Sequence, residues 1–192
     1  MIEVRFHGRG GQGAVVASEI LATALFKEGK FVQAFPAFGV ERRGAPVMAF
    51  LRFDSLPIRR RCQIYEPDHV VVLDPTLLSA VDVTAGLKPD GSILINSDSP
   101  PESFTALQKF LVATVPAGEI AVAHNLGTRT NPIVNTAILG AFVRLTGFVS
   151  LETLLDAIAE KVPERQRERN QAAARVAYER VRIAKILQGG RL

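Results

Sequence analysis

The sequence predicts an α/β fold: an open, mostly parallel sheet flanked by helices, with a C-terminal helical extension. Three observations carry this. Short β-rich apolar stretches alternate with stretches whose apolar residues recur at helical spacing. The cluster Gly8-Arg9-Gly10-Gly11-Gln12-Gly13 stands at the first strand-to-helix junction. The run His69–Leu73 is apolar and ends in Asp74-Pro75, as a strand buried on both faces does.

The elements follow in order. Ile2–His7 reads as a strand ahead of the glycines. Gly13–Gly29 reads as a helix, with Ala14, Ala17, Ile20, Leu21, Ala24 and Leu25 on one side and Gly29 as its stop. Lys30–Phe35 is a strand. Phe35–Pro46 contains Pro36, Gly39, Gly44 and Pro46 and reads as a loop. Val47–Phe53 is a strand, and Ile58–Cys62 is a candidate for another. His69–Leu73 follows, then a helix near Leu77–Ala85, a strand at Gly91–Asn96, a short helix over Pro101–Phe110 and a strand at Leu111–Val115. Ala117–Asn125 and Pro132–Thr146 read as helices. Ser150 is the expected N-cap of a helix running to Lys161. Glu164–Gln188 reads as one long, charged, Ala-rich helix before Gly189-Gly190. The chain is expected to form a single domain over 1–192, an α/β core of about 1–148 followed by helices over about 150–189.

Composition narrows the function. With 192 residues, 47% hydrophobic and 22% charged, the chain can bury a proper core, which excludes wholesale disorder. No apolar run approaches the ~20 residues of a membrane span. The start MIEVRFHGRGG has no secretory h-region, so a cytoplasmic location is expected. The single cysteine, Cys62, excludes an internal disulfide and an iron–sulfur cluster held by this chain alone. Its default role is a small apolar filler. His7, His69 and His124 are too far apart in sequence for a structural zinc motif. Net charge is +4, and the excess sits in one place. Residues 159–192 hold nine Lys/Arg against four Asp/Glu, and the remainder fourteen against fifteen. That distribution argues against a nucleic-acid surface and for a solvated helix face or a subunit contact.

Gly8–Gly13 satisfies G-x-G-x-x-G between a strand and a helix. Glycines there let backbone approach a ligand, and the free N–H groups of the helix N-terminus favour phosphate or pyrophosphate. A nicotinamide site would also need an acidic residue at the end of the second strand. That strand ends near Phe35-Pro36, and Glu28 comes too early. Arg42 and Arg43 in the following loop suit a phosphate instead, as in an NADP site or another phosphorylated nucleotide. Residues 42–61 carry six arginines, with Arg52, Arg59, Arg60 and Arg61 joining the pair, against one acid, Asp54. There is no nucleophile elbow, H-E-x-x-H or Walker A lysine, so no catalytic residue is assigned. Asp74 is expected in a turn or cap. Asn125, Asn131 and Asn135 are expected to cap or hydrogen-bond at a helix start, and His7 to be packed rather than a general base.

The segments His7–Gly13, Gln33–Pro36, Phe38–Val47 (FGVERRGAPV) and Pro67–Asp74 together resemble the gamma subunits of 2-oxoacid:ferredoxin oxidoreductases, the pyruvate synthases among them. Asn131–Gly140 and Asn170–Glu179 extend the likeness over nearly the whole chain. The resemblance implies a Rossmann-like unit within a larger enzyme. That enzyme oxidatively decarboxylates a 2-oxoacid, transfers the acyl group to coenzyme A and passes electrons to ferredoxin. Thiamine diphosphate and the iron–sulfur clusters would belong to alpha, beta and delta-type partner subunits. Gly8, Arg9, Gly10, Gly11, Gln12 and Gly13 would approach the coenzyme A phosphates, with Arg42 and Arg43 as the matching basic loop. The Glu164–Gln188 helix and the Phe35–Pro46 loop, with Phe35 and Phe38, would be partner contacts, and the isolated chain would self-associate. A free-standing NAD(P)-binding enzyme domain and a non-catalytic α/β interaction protein stay open as alternatives.

Overall fold

The computed structural model describes residues 1–37 and 44–184. Seven strands form one sheet in the order β2-β3-β1-β4-β5-β6-β7. They are β1 (Ile2–Arg9), β2 (Phe31–Pro36), β3 (Pro46–Asp54), β4 (His69–Val72), β5 (Ser92–Asn96), β6 (Leu111–Val115) and β7 (Arg182–Ile183). The helices are α1 (Ala14–Lys27), α2 (Leu77–Ala80), α3 (Ala117–Ala123), α4 (Asn135–Thr146), α5 (Leu151–Lys161) and α6 (Arg167–Arg180). Strands β1, β2, β4, β5 and β6 point one way, and β3 and β7 run against them. The sheet is therefore mostly parallel, as expected. The antiparallel β3 fits the short connection: the nine residues between Pro36 and Pro46 are fewer than the dozen or more that a crossover to a parallel neighbour needs.

Side-chain alternation divides the sheet into two faces. On one, Val4, Phe6, Leu51, Val71, Leu94 and Ala113 meet α1, α4, α5 and α6 in the main core. Leu154, Leu155, Ile158, Ala173, Ala174 and Ala177 belong to that core, so the C-terminal helices are part of the central packing. Helices α4 and α6 touch through Gly140, where a Cβ would lie 2.0 Å from the Ala174 carbonyl oxygen. On the other face, Val70, Val72, Ile93, Ile95 and Val112 pack beneath Leu77, Val83 and Leu87. There β1 contributes the polar Glu3, Arg5 and His7 and β3 contributes Arg52 beside Phe50, all of them buried.

That polar face explains the first departure from expectation. Ile58–Cys62 is not a strand but irregular chain crossing the sheet. Its carbonyls accept from side chains instead of a neighbouring strand. Arg52 donates to the oxygens of Arg60 (3.0 Å) and Cys62 (2.6 Å), and Gln33 donates to that of Ile58 (3.3 Å). Cys62 is exposed, so it fills no core space. The helix expected over Leu77–Ala85 closes after one turn at Ala80, because Val81 is extended (φ −143°, ψ 152°). Pro101–Phe110 forms two 3₁₀ turns, Pro101–Ser103 and Thr105–Leu107, in place of a helix. The helix expected from Pro132 starts at Asn135.

The expected Glu164–Gln188 helix is also interrupted. A 3₁₀ turn, Glu164–Gln166, precedes α6, which ends at Arg180. Val181 then turns extended (φ −61°, ψ 132°), and β7 takes the open edge of β6, with Ala184 N–H donating to Val112 O at 2.9 Å. An unpaired strand edge outcompetes another helical turn for the β-branched Val181 and Ile183. Residues 185–188 of that expected helix lie outside the described residues. Ser150 does cap α5, its hydroxyl accepting from Thr153 N–H at 3.1 Å. No helix of the described residues is long and apolar enough to cross a membrane.

Candidate functional site

Strand order fixes where a ligand can enter. From β1 the chain crosses by α1 to β2 on one side, and after β3 it resumes at β4 on the other. The sheet thus switches direction between β1 and β4, and a crevice opens beyond their carboxyl ends. Those ends carry Arg9–Gly13 and Leu73–Thr76.

A closed set of side-chain bonds joins the two strand ends. Gln12 Oε1 accepts from Arg9 N–H (2.8 Å), and its Nε2 donates to Asp74 Oδ2 (2.8 Å). Asp74 Oδ1 accepts from the amide (3.0 Å) and hydroxyl (2.6 Å) of Thr76. Arg9 lies 3.2 Å from Asp74 Oδ2 through Nε, and donates to Thr76 Oγ1 from Nη2 (2.8 Å) and to Gly44 O from Nη1 (3.0 Å). Burial pushes the Asp74 carboxyl up, but Thr76, Gln12 and Arg9 together hold it below the ordinary carboxylate range. Asp74 is therefore the turn residue expected, and it also anchors the glycine loop.

The backbone of the loop is partly committed. Gly10 N–H donates to Ala45 O (3.0 Å), Gly44 N–H to Gly10 O (3.1 Å) and Gln12 N–H to Arg9 O (3.0 Å). The first intrahelical bond of α1 is Ala17 N–H to Gly13 O (2.8 Å). Among the described residues, the N–H groups of Gly11, Gly13, Ala14 and Val15 have no acceptor. No side chain caps α1 and no acid occupies its first turn. Of the expected contacts, then, Gly11 and Gly13 present free donors, while Gly8, Gly10, Arg9 and Gln12 build the turn. The glycine requirement is explicit at two positions. Gly11 has φ +99°, and a Cβ there would meet nothing within 4 Å, so it faces open space. Gly13 has φ +83°, and a Cβ there would lie 2.7 Å from Asn135 Nδ2.

That last contact brings in a residue that the sequence places only as a cap. Asn135 opens α4, is 7% exposed, and accepts from Thr136 N–H at Oδ1 (2.8 Å). Its Nδ2 has no hydrogen-bond partner among the described residues. Two helix N-termini, of α1 and α4, thus converge beside the crevice, adding their partial positive charges. Nothing in the local sequence signals this convergence. It requires Asn135 and Gly13, far apart in the chain, to be in contact.

The remaining candidates fall outside the crevice or outside the described residues. Arg42, Arg43 and Phe38 lie outside the described residues. Arg52 is fully buried, its Nε 3.1 Å from Glu3 Oε1. Phe35, expected at a partner surface, is half-buried, with its ring 5.3 Å from that of Phe50 and 5.3 Å from the Arg52 guanidinium. His7 is packed as expected: Arg5 Nε donates to its Nε2 (2.9 Å), and burial, with Arg5, pushes its pKa down to about 4. Among the described residues no three His, Cys, Asp or Glu side chains gather into a metal site.

Comparison with known proteins supplies the family. The model of the pyruvate ferredoxin/flavodoxin oxidoreductase family matches residues 3–180. The chain is 55% identical over 188 residues to the pyruvate/ketoisovalerate oxidoreductases common subunit gamma of Pyrococcus furiosus, covering 95% of this chain and 98% of that one. It is 54% identical over 182 residues to pyruvate synthase subunit PorC of Methanothermobacter marburgensis, again covering 95% and 98%. The crystal structure of pyruvate oxidoreductase subunit PORC from Thermotoga maritima superposes with a TM-score of 0.79 at 38% identity, over 96% of this chain and 98% of that one. These matches favour the oxidoreductase-subunit reading over the two alternatives, and the chain belongs to the pyruvate ferredoxin/flavodoxin oxidoreductase family.

Proposed function

We propose that this chain is the gamma subunit of a multisubunit 2-oxoacid:ferredoxin oxidoreductase and that its β1/β4 crevice contacts coenzyme A. Coenzyme A supplies the thiol that accepts the acyl group, and its phosphates carry the charge by which a protein holds it. In this reading Gly11, Gly13, Ala14 and Val15 donate backbone N–H groups to the diphosphate. Asn135 Nδ2 adds a side-chain donor from the second helix, and Arg42 and Arg43 supply guanidinium forks to the terminal phosphate. Support comes from the convergence of two helix N-termini on unpaired donors, with Gly11 leaving space for close approach. A single observation carries the reading: Asn135, a largely buried residue, stands with its amide Nδ2 beside the uncapped start of α1, and that nitrogen has no hydrogen-bond partner among the described residues.

Decarboxylation and electron transfer fall to partner subunits of alpha, beta and delta type, which would hold thiamine diphosphate and the clusters. One cysteine is too few to ligate a cluster. A relative named as a subunit common to pyruvate and ketoisovalerate enzymes supports the view that the 2-oxoacid is selected elsewhere in the complex.

The test is steady-state kinetics of the assembled enzyme with Arg42→Ala, Arg43→Ala and Gly11→Val. Loss of one charge-assisted contact costs about 1.5–3 kcal/mol, or roughly 10- to 150-fold in affinity. The KM for coenzyme A rises by that order, and that for the 2-oxoacid stays near its starting value. Complexes that dissociate while coenzyme A kinetics hold would make the loop an interface element instead.

A further inference from the structure

Helix α4 starts at the crevice without a local cap. Val134 precedes it with no side-chain hydrogen bond, and no acid stands in its first turn. One of its orphan donors, the Thr136 N–H, is taken by Asn135 Oδ1 at 2.8 Å. That bond does two things to Asn135. It makes the oxygen the acceptor end, so the end facing Gly13 is the Nδ2 donor. It also ties the amide plane to the backbone of residue 136, so the amide goes where that residue goes.

Residue 136 is itself held from another helix. The hydroxyl of Thr136, a fully buried residue, donates to Asn170 Oδ1 at 2.8 Å, and Asn170 Nδ2 donates to Gln166 O at 2.8 Å just ahead of α6. One turn on, Gly140 lets the α4 backbone come close enough to Ala174 for two short side chains to meet. The surrounding Ala173, Ala174 and Ala177 are fully buried. An apolar pair of the same shape would hold the helices about as well, because the net gain from a buried hydrogen bond is small. What the hydroxyl–amide pair adds is direction, a fixed length and angle for the first turn of α4.

We propose that Asn170 is a positioning residue for the crevice: through the Thr136 hydroxyl it fixes the first turn of α4 and so keeps the Asn135 amide nitrogen turned toward the bound anion. This rests on the coenzyme A reading of the crevice. The uncapped helix start takes its order from α6 instead of from a capping side chain. The neutral Thr136–Asn170 bond biases the competent orientation by no more than its own worth, a factor of about two to twelve.

A double-mutant cycle on the KM for coenzyme A in the assembled enzyme tests it, with the KM for the 2-oxoacid read alongside. Asn135→Ala loses one hydrogen bond to a charged group and raises the KM for coenzyme A roughly 10- to 150-fold. Asn170→Ala and Thr136→Val each raise it about two- to twelvefold, and the KM for the 2-oxoacid does not move. Thr136→Ser keeps the hydroxyl and stays near the native value. In the Asn135→Ala background neither Asn170→Ala nor Thr136→Val raises the KM further, because the group they orient is gone. Thr136→Val carries the test if Asn170→Ala fails to assemble. Native coenzyme A kinetics in both variants, whatever the melting temperature, make the bond a packing contact and overturn the proposal. An equal rise in both backgrounds means that Asn170 acts on the ligand directly or through the fold at large, and overturns it too. If Asn135→Ala leaves coenzyme A kinetics native while Gly11→Val impairs them, the proposal falls and the crevice reading stands on the loop amides. If neither change has an effect, the crevice reading falls and takes the proposal with it.

Discussion

The contact between α4 and α6 gives a sharp stability prediction at Gly140. A Cβ there would lie 2.0 Å from the carbonyl oxygen of Ala174, 2.7 Å from its carbonyl carbon and 3.0 Å from its Cα. All three are backbone atoms, so no side-chain rotation relieves the clash. Ordinary contact begins near 3.4 Å, and α6 must recede by more than about 1 Å. The helices run in the same direction, with Thr136 opposite Asn170 one turn earlier, where the Thr136 hydroxyl donates to Asn170 Oδ1 at 2.8 Å in a buried setting. Receding helices loosen Ala173, Ala174 and Ala177, all fully buried, and stretch that hydrogen bond. Overpacking costs about 1–3 kcal/mol and a weakened buried hydrogen bond about 1 kcal/mol more. The higher helix propensity of alanine returns up to about 1 kcal/mol. Gly140→Ala is therefore expected to destabilise by about 1–4 kcal/mol net, a fall in Tm of roughly 2–16 °C for a chain of this size. Urea and thermal unfolding of the purified chain, followed by circular dichroism, measure it. Gly147→Ala is the control: its φ is +66° with open space around it, so only about 1 kcal/mol of backbone strain is expected. A Gly140→Ala protein as stable as the parent, or more stable, would refute the close approach of the two helices.

Two further outcomes follow from the polar face of the sheet. His7 titrates near 4 when folded, against 6.5 when free, because burial and Arg5 disfavour its charged form. The unfolded chain thus binds more protons between those values, and His7's contribution of roughly 3 kcal/mol is complete above pH 6.5 and lost as pH falls toward 4. His69, also lowered by burial, acts in the same sense. Urea midpoints measured from pH 7 to pH 4.5 should fall, and should fall less steeply for His7→Gln; parallel profiles would contradict this. Arg52→Ala removes the donors to Arg60 O and Cys62 O and leaves the buried Glu3 carboxylate with only the exposed Arg60 guanidinium, 3.9 Å away, for a loss of about 3–5 kcal/mol. The Arg52–Glu3 contact at 3.1 Å is off the hydrogen-bond axis, so its attraction is Coulombic, and changing Glu3→Gln in the same chain should recover part of the loss. An Arg52→Ala midpoint within about 1 M urea of the parent would count against it.

Local sequence determined much of this protein. The strand-forming runs from Ile2 to Val115 and helices α1 and α5 are legible because burial demands apolar residues at fixed periods, two for strands and about 3.6 for helices. The glycine turn is legible because only glycine adopts the backbone found at Gly11 and Gly13 without strain. Tertiary structure decided the rest wherever two distant segments compete for the same partner. Ile58–Cys62 has strand-like composition, yet Arg52 and Gln33 take its carbonyls first. Helix α6 looks continuous to Gln188 until the open edge of β6 captures Arg182 and Ile183. The glycine motif reads as six equivalent contacts, but pairing with Gly44 and Ala45 consumes Gly10, and packing against Asn135 dictates Gly13. Periodicity and backbone conformation are properties of neighbouring residues and are written in order along the chain. Which donor meets which acceptor depends on what else arrives at the same point in space, and that is settled only when the whole chain has folded.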